Sequence, residues 1–388
     1  MKILIASNSF KECATASEIN DAIEQGILLF KTMFVSPDET IEIQKTEICD
    51  GGTGFASILA DAVSGFKQKA KAKDPLMRDI EAIYGVSPDQ KTVYIEVAET
   101  CGLAKLAKDE QNPIHTTSFG VGTQFINAIE VFKPTKILIG CGDTAINDFG
   151  LGFLFALGVR FLDKDKNEIN FKEPTDFLNV VELDFTKSKY IEYLKTQCKV
   201  IVCCNLSSII GGKESNTKIY AKQKGANDDE IEKLEIVKDI FLKIVEQQTG
   251  KDISLIPGTG AGGGLGSSLY AFCEAKLCYS FEVIFPAIGI EEKIKWADFI
   301  ITGEGLVDNS SLKGKAPISL ALFSKKFNKK VGLIAGAIKT NCTNIIIRGG
   351  VDYVETLTSE SFNLQDYICN SKVLLRDAGF RLMKKTYQ

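Results

Sequence analysis

The sequence contains a single histidine, His115, and no two cysteines in a CxxC arrangement. A single histidine leaves no zinc-type cluster. The eleven cysteines are instead expected to be buried free thiols in a reducing compartment. These two features argue against a zinc site and against a thiolate metal site.

Long apolar runs and an excess of positive charge are also missing. The longest apolar stretch, residues 149–162, is interrupted by Arg160 and is too short to span a bilayer, so a buried helix and strand are expected there. The chain opens on a strand-like run instead of a secretory segment. With 46 Lys and Arg against 50 Asp and Glu, the net charge of −4 provides no basic field for nucleic acid. We expect a cytoplasmic protein that binds neither nucleic acid nor a membrane.

The chain of 388 residues is longer than one compact core usually holds, so two domains are expected. Lys2–Ser7 has the pattern of a buried strand, and Thr15 with Glu18 forms a capping-box pair before an amphipathic helix. The residues after 54 again predict a helix, from 55 to 63. Further strands are predicted at residues 41–49, 92–98, 136–140, 199–204, 281–285, 298–302 and 331–335. Short strand-to-helix loops imply parallel sheets, so the predicted fold class is doubly wound α/β.

Four loops after predicted strands combine glycine with carboxylate or amide side chains, namely residues 50–54, 140–148, 257–268 and 303–308. In open α/β sheets ligands bind beyond the carboxyl ends of the strands. Glycine lets backbone N–H groups approach an anion closely, although in any one loop it could simply make a tight turn. Four such loops favour a phosphate site. The candidate phosphate- or nucleotide-binding residues are Gly51, Gly52, Gly258, Gly260, Gly262, Gly263, Gly264, Gly266 and Ser267.

The loop that begins at Pro257 leaves alternatives open. It contains a nominal GxGxxG, but the preceding strand is short and no acidic residue follows at the right distance, so a Rossmann fingerprint is weakly supported. It has no Walker lysine pattern. Its Gly-Leu-Gly-Ser-Ser portion, residues 264–268, resembles the phosphate loop of the GHMP small-molecule kinases. A GHMP-type kinase is therefore one alternative.

Acidic and basic side chains in these loops suit phosphoryl chemistry. Mg²⁺ usually takes one or two carboxylates together with phosphate oxygens and water. Candidate magnesium ligands are Asp50, Asp148, Glu304 and Asp308. Lysines could neutralise the transferring phosphoryl group, although any one lysine could equally be a solvated surface charge. The candidates are Lys11, in the loop after the first strand, Lys313, and Lys315, directly before a helix start at Ala316-Pro317.

In their order along the chain these motifs resemble the bacterial glycerate kinase family over nearly the whole length. The resemblance rests on Ser-Asn-Ser-Phe-Lys at residues 7–11, Asp-Gly-Gly-Thr-Gly at 50–54, Thr-Thr-Ser-Phe-Gly-Val-Gly at 116–122, the segment 140–150, Gln-Lys-Gly-Ala at 223–226, the Pro257 loop, and residues 303–317. Spaced over this length, the set is more specific than any single motif.

The resemblance implies ATP- and magnesium-dependent phosphorylation of D-glycerate, to 2-phosphoglycerate in this branch. Its ligands would be a small hydroxy acid and a nucleotide, and a homodimer is left open. It further implies two α/β domains with largely parallel sheets and the active site in the cleft. A Rossmann- or flavodoxin-like domain would comprise residues 1–75 and 285–388, and residues 76–284 would form the inserted domain.

The resemblance also suggests roles for individual residues. The expected catalytic residues are Lys11, Asp50, Asp148 and Asp308. Lys11 would neutralise charge in the transition state, and Asp148 or Asp50 would be the base. Expected substrate-binding residues are Ser9, Thr116, Thr117, Asn147 and Lys315, and expected magnesium ligands are Glu304 and Asp308.

Five positions depart from the family pattern. Asn8, Thr53, Asn205 and Leu306 stand where the family usually has Asp, Glu, Asp and Arg, and Asp143 stands where it has Gly. Asparagine can ligate Mg²⁺ but cannot act as a general base, and leucine gives no bidentate grip on an anion. Either the chain phosphorylates a related hydroxy acid through rearranged contacts, or it is an impaired paralogue that binds a nucleotide or hydroxy acid.

Overall fold

The computed structural model describes residues 1–10, 13–339, 346, 348–357 and 364–387. The chain forms two compact units. The terminal unit comprises Met1–Asp50 with Ser280–Gln388, and the inserted unit comprises Gly51–Tyr279. The strands are β1 (Lys2–Ser7), β2 (Glu42–Glu47), β3 (Phe66–Lys73), β4 (Asp79–Val86), β5 (Thr92–Glu96), β6 (Lys136–Gly140), β7 (Arg160–Leu162), β8 (Glu182–Asp184), β9 (Lys199–Cys204), β10 (Lys276–Tyr279), β11 (Phe299–Val307), β12 (Lys330–Ile338) and β13 (Tyr353–Thr356).

The described α-helices alternate with most of these strands. They are α1 (Ala16–Phe34), α2 (Phe55–Ala62), α3 (Val97–Cys101), α4 (Phe119–Phe132), α5 (Leu151–Ala156), α6 (Lys189–Thr196), α7 (Asn216–Tyr220), α8 (Asp228–Thr249), α9 (Leu265–Cys273), α10 (Ser280–Ala287), α11 (Ile290–Trp296), α12 (Ala316–Lys325) and α13 (Leu364–Thr386). Among the described residues, no helix combines the length and the apolar character needed to cross a lipid bilayer.

The terminal unit contains a five-stranded sheet in the order β13-β12-β11-β1-β2, and every neighbouring pair is parallel. Its helix α1 starts with the capping box predicted from Thr15 and Glu18, which is thereby confirmed. The apolar stripe of α1, including Ile19, Ile23 and Ile27, is buried in the core of this unit. Because the strands are parallel, their carboxyl ends share one edge of the sheet.

The inserted unit contains a six-stranded sheet in the order β10-β9-β6-β5-β4-β3. The four strands from β10 to β5 are parallel, whereas β3 and β4 form an antiparallel hairpin beside β5. The long apolar run 149–162 forms α5 and β7, as the sequence predicts, and packs in a core with many phenylalanine side chains. The mixed α/β class with mostly parallel sheets is thus as predicted.

The boundaries between the two compact units differ from the domain boundaries that the sequence analysis proposed. The sequence boundaries lie near residues 75 and 284, whereas the compact units divide after residues 50 and 279. Two contacts explain the first difference. Helix α2 packs against β4 and β5, and strand β3 pairs with β4 along its whole length, so residues 51–75 belong with the inserted unit.

One predicted strand is wrong. Residues 281–285 lie in helix α10, where Ser280, Ile284 and Phe285 are buried. A short apolar run fits either a strand or one turn of a buried helix, so its periodicity could not separate the two. The expectation of free thiols is confirmed for nine cysteines of the described residues, eight of which are buried.

Candidate active site

Polar side chains of the terminal unit gather where β1, β2 and β11 end. Asn8 and Ser9 follow β1, Asp50 follows β2, and Glu304 lies in the last part of β11. Helix α12 begins directly after Lys315. The sequence analysis proposed all of these positions except Asn8 as site residues, and the fold brings them to one edge of one sheet. Lys11, the other predicted catalytic residue of this region, lies outside the described residues.

Lys315 and Glu304 form an ion pair in which the carboxylate is buried and the lysine side chain is partly exposed. The Lys315 ammonium donates to Glu304 Oε1, and the Ser311 hydroxyl lies 3.0 Å from Glu304 Oε2. Glu304 is only 4% exposed, and this burial raises the pKa of its carboxyl to about 7 even though Lys315 and Ser311 lower it. Burial lowers the pKa of Lys315, but the carboxylates around it, Glu304 first, raise it by more. Lys315 is therefore a fixed positive charge.

Asp308 lies near the same Lys315 ammonium. Its Oδ1 is 3.8 Å from Lys315 Nζ, and its Oδ2 is 3.7 Å from Lys339 Nζ. Burial raises the pKa of Asp308, but the Ser310 hydrogen bonds and these two lysines bring it below the usual value. Asp308 is therefore an ionised carboxylate.

Asp50 is held by the neighbouring loops of the same unit. Its Oδ2 accepts a hydrogen bond of 2.8 Å from the Asn8 side-chain amide, and its Oδ1 accepts from the backbone N–H of Ala316 at the start of α12. Asn8 Oδ1 in turn accepts from the Ser9 N–H at 2.8 Å. A carboxylate thus occupies the positive end of α12.

The donor set of the terminal unit fits a hard divalent cation in part. Glu304 and Asp308 provide oxygen ligands, and Mg²⁺ commonly takes only one or two carboxylates and completes its shell with phosphate oxygens and water. The burial-raised pKa of Glu304 marks a carboxylate that a further positive charge would stabilise. Within the described residues there is no group of three acidic, histidine or cysteine side chains that could hold a metal by itself. The arrangement fits a metal that arrives with a phosphate ligand.

In the inserted unit, Asp148 is fully buried and ties two helix starts together. Its Oδ2 accepts from the N–H and hydroxyl of Ser118 at 2.7 and 2.8 Å, from Thr117 Oγ1 at 3.3 Å, and from the Gly152 N–H at 3.0 Å. Its Oδ1 accepts from the Gly150 N–H at 3.2 Å. Burial raises its pKa against these hydrogen bonds. These donors favour a positioning role for Asp148 over that of a base.

The predicted substrate residues of the inserted unit lie on the loop 144–148 or bond to it. Thr116 Oγ1 donates to the Ala145 carbonyl at 3.1 Å, and the Asn147 side-chain amide donates to Thr217 Oγ1 at 2.9 Å. Thr116, Thr117 and Asn147 are all fully or almost fully buried. The fold therefore uses these residues to hold the loop in shape.

Lys224 is a buried loop contact that the sequence analysis did not assign. Its ammonium donates to the Ile146 carbonyl at 2.6 Å and to Thr144 Oγ1 at 3.2 Å. The Gln-Lys-Gly-Ala motif at 223–226 was the available signal. The motif marked the position of Lys224 but not its hydrogen-bond partner, the Ile146 carbonyl, which lies 78 residues away in the sequence.

Glu96 is a second residue that the sequence analysis missed. It ends β5 and accepts a hydrogen bond of 3.3 Å from the Ala56 N–H at the start of α2. Burial, with the charge of Glu99, raises the pKa of Glu96 to about 7. The only sequence signal for Glu96 was that a carboxylate interrupts the apolar stretch 92–98.

The glycine-rich loop 257–268 packs against backbone of its own unit. A Cβ at Gly263 would lie 2.0 Å from the Ile146 carbonyl oxygen, and one at Gly260 would lie 2.5 Å from the Ile209 carbonyl oxygen. The N–H groups of Gly264, Gly266 and Ser267 donate within the loop. These contacts support a packing role, the alternative that the sequence left open for each single loop.

The loops 51–54 and 140–143 touch through their backbones. The Gly142 N–H donates to the Gly51 carbonyl at 2.8 Å, and a Cβ on Gly142 would lie 2.6 Å from Gly52 Cα. The Asp143 carboxylate caps the contact, since its Oδ2 accepts from the Thr53 N–H at 3.0 Å and lies 3.2 Å from Thr53 Oγ1. Here the glycines allow two loops to approach each other.

The α/β fold and the charged cluster at the sheet edge fit a phosphotransferase, and the comparisons with known proteins show one that acts on an alcohol group. The model of the glycerate kinase family matches residues 3–386. The chain is 34% identical to a glycerate kinase of Halalkalibacterium halodurans, covering 97% of this chain and 96% of the relative. It is 35% identical to the glycerate 2-kinase of Escherichia coli, covering 92% and 91% of the two chains.

The solved structures agree with the sequence relatives. A crystal structure of a Salmonella typhimurium LT2 protein, provisionally assigned as glycerate kinase 2, superposes with a TM-score of 0.76 at 30% identity. The match covers 100% of this chain and 98% of the other. The chain belongs to the glycerate kinase family. The GHMP alternative from residues 264–268 is set aside, because the family match spans almost the entire chain.

Proposed function

We propose that the protein phosphorylates D-glycerate, or a closely related small hydroxy acid, with ATP and Mg²⁺, and that the product from glycerate is 2-phosphoglycerate. The observation that carries this proposal is the cluster of Lys315, Glu304, Asp308 and Asp50 at one sheet edge beside the start of α12. Phosphoryl transfer depends mainly on positioning and on neutralising charge, and this cluster supplies a fixed ammonium among carboxylates.

In the proposed reaction, the substrate hydroxyl oxygen forms a bond to the γ-phosphorus of ATP while the bond to the bridging oxygen of ADP breaks. The hydroxyl proton passes to a carboxylate, for which Asp50 is the better candidate because Asp148 is enclosed by hydrogen-bond donors. Lys315 would neutralise phosphoryl charge, together with Lys11 as the resemblance implies. Glu304 and Asp308 would hold Mg²⁺, which would supply positive charge that offsets the charge of the phosphate groups.

For the predicted site residues of the inserted unit we propose a more limited role than direct ligand binding. The contacts of Thr116, Thr117 and Asn147 support a role in shaping the loop that would face the hydroxy acid. Gly51 and Gly52 remain proposed phosphate-binding residues, because hydrogen bonds from Gly142 to the Gly51 carbonyl and from Thr53 to Asp143 fix their loop. The contacts of Gly258, Gly260, Gly262, Gly263, Gly264, Gly266 and Ser267 support packing more directly than ligand binding.

A second candidate function is that of an impaired paralogue that binds a nucleotide or hydroxy acid. Leu306, which stands where the family pattern has Arg, is 40% exposed at the end of β11 and offers no charge. Under this alternative the protein is stabilised by ligands without turnover. Restoring arginine at position 306 would then raise activity.

A coupled assay of ADP release separates the two candidates. ATP, Mg²⁺ and D-glycerate, with L-lactate, glycolate and tartronate as comparison acids, should give turnover that depends on both glycerate and the metal. The phosphorylated product is distinguished as the 2- or 3-phosphate by ³¹P NMR. No turnover above background with any of these acids contradicts the kinase proposal. Turnover at ordinary kinase rates, roughly 1–100 per second, contradicts the paralogue.

A further inference from the structure

The loops 51–54 and 140–143 are joined by a side chain as well as by their backbones. Thr53 and Asp143 are 90 residues apart in the sequence, yet the Asp143 carboxylate accepts from both the N–H and the hydroxyl of Thr53. One carboxylate therefore holds both donors of a residue on the other loop.

The backbone at Asp143 agrees with a position built for glycine. Its φ is +56°, in the left-handed region that costs most side chains about 1 kcal/mol, although aspartate tolerates it better than most. The Asp143 carbonyl also accepts from the Leu103 N–H at 3.0 Å, which holds the residue in place. The chain thus retains the glycine conformation and adds a carboxylate to it.

The Asp143 side chain fits here only because Gly52 has no side chain. A Cβ at Gly52 would lie 2.2 Å from Asp143 Oδ2. The carboxylate therefore lies directly on the backbone of the loop 51–54 and bonds to the next residue. Within the loop the Gly142 N–H donates to the Gly51 carbonyl, and directly after it Glu96 accepts from the Ala56 N–H at the start of α2. Asp143 completes a set of contacts that leaves this loop little freedom.

We infer that Asp143 is a positioning residue for the loop 51–54, because its carboxylate holds Thr53 from across the loop pair. The inference rests on the proposed function, in which Gly51 and Gly52 bind phosphate. Asp143 holds the Thr53 N–H and with it the direction of the neighbouring backbone N–H groups. Since the contact uses a single carboxylate between the two loops, a glutamate at position 53 that faces a glycine at position 143 should be able to replace it.

A double-mutant cycle tests this pairing. The proteins are the unaltered chain, Thr53→Glu, Asp143→Gly and the double variant, which moves the carboxylate from position 143 to position 53. Gln90→Gly serves as the matched control, because Gln90 is exposed in the same unit with φ of +59° and the change likewise places glycine at a left-handed residue. Each protein is measured for melting temperature and for kcat and KM with Mg-ATP and glycerate.

We expect Asp143→Gly to raise the KM for Mg-ATP about tenfold, the effect of one hydrogen bond to a charged group, with kcat within about threefold. Thr53→Glu alone should raise it as well, since two carboxylates would then meet. The double variant should return to within about threefold of the unaltered chain, and Gln90→Gly should change neither constant. Single effects that multiply in the double variant, or an Asp143→Gly protein with unchanged KM, would overturn the inference.

Melting temperatures separate this inference from the proposed function. If the unaltered chain shows no turnover, the kinase proposal fails, but the four melting temperatures and their shifts on addition of Mg-ADP still report the coupling. Non-additive shifts, with the double variant restored, support the pairing of Thr53 and Asp143. Additive shifts overturn it whatever the activity.

Discussion

The side-chain amide of Asn8 donates a hydrogen bond of 2.8 Å to the carboxylate of Asp50. The other Asp50 oxygen accepts from the first N–H of helix α12. Asparagine at position 8 is thus more than a lost carboxylate, because it provides a donor that aspartate lacks. The contact bears directly on whether this departure from the family pattern weakens the site.

Asn8→Asp should destabilise the metal-free protein. The change keeps the acceptor for the Ser9 N–H but replaces the donor to Asp50 with a second negative oxygen, at a cost of about 1–2 kcal/mol. Thermal melting without added metal measures this, and Asn8→Ala shows the effect of losing the donor without adding charge. Equal melting temperatures for Asn8→Asp and the unaltered chain would contradict the contact.

Lys315→Met should impair both stability and turnover. Removing Lys315 leaves the buried Glu304 without its cation, which should cost about 1–3 kcal/mol because Lys315 itself is partly exposed, and kcat should fall at least about 10²-fold. The double variant Lys315→Met with Glu304→Gln should recover most of the stability and none of the turnover. Urea denaturation and ADP release are the measurements. Recovery of turnover in the double variant would show that Lys315 is needed only to balance Glu304.

Asp148→Asn distinguishes a positioning residue from a base. The new amide would direct an NH₂ group at backbone N–H and hydroxyl donors, so we expect a loss of about 2–4 kcal/mol in the free energy of unfolding. Asp165→Asn, at an exposed position, is the control. A variant with unchanged stability but abolished kcat would restore Asp148 as the candidate base.

Glu96 should make stability depend on pH. Its pKa is raised in the folded protein from 4.5 to about 7, so the protonated form is the one that the fold favours. This contribution is fully present below pH 4.5 and is lost as the pH rises through 7, by up to about 3 kcal/mol. Chemical denaturation between pH 4.5 and 8 should show a flatter profile for Glu96→Gln. Parallel profiles for the two proteins would contradict the prediction.

Gly263→Ala tests the packing of the glycine-rich loop, with Gly250→Ala as its match. Both glycines have positive φ, +66° and +71°, so alanine introduces a similar backbone strain at each position. A Cβ at Gly263 would lie 2.0 Å from the Ile146 carbonyl, whereas nothing lies within 4 Å of one at Gly250. Gly263→Ala should therefore lose at least about 2 kcal/mol more in denaturant titrations. Equal losses would mean that the loop adjusts freely.

Much of the fold and part of the site could be predicted because the signals are local. The capping box at Thr15 and Glu18 and the parallel strands before glycine loops were visible in short windows of sequence. Glu304, Asp308 and Lys315 lie within twelve residues of one another, so one strand end and one helix start bring them together. The boundary near residue 75 and the strand at 281–285 were misplaced, since neither the pairing of β3 with β4 nor the burial of one face of α10 can be read from a short window.

Sequence alone determined the α/β class and the family and proposed the loops that carry the chemistry, because hydrophobic period, capping and glycine placement act over a few residues. Only the tertiary structure decided which loops meet. Glu96 reaches α2 across 40 residues, Lys224 reaches the Ile146 carbonyl across 78, and Asp143 reaches Thr53 across 90. Hydrogen bonds between distant segments depend on the packing of the sheets that carry them. For that reason nothing in the sequence around Thr53 or Asp143 reveals that the two residues are hydrogen-bond partners in the fold.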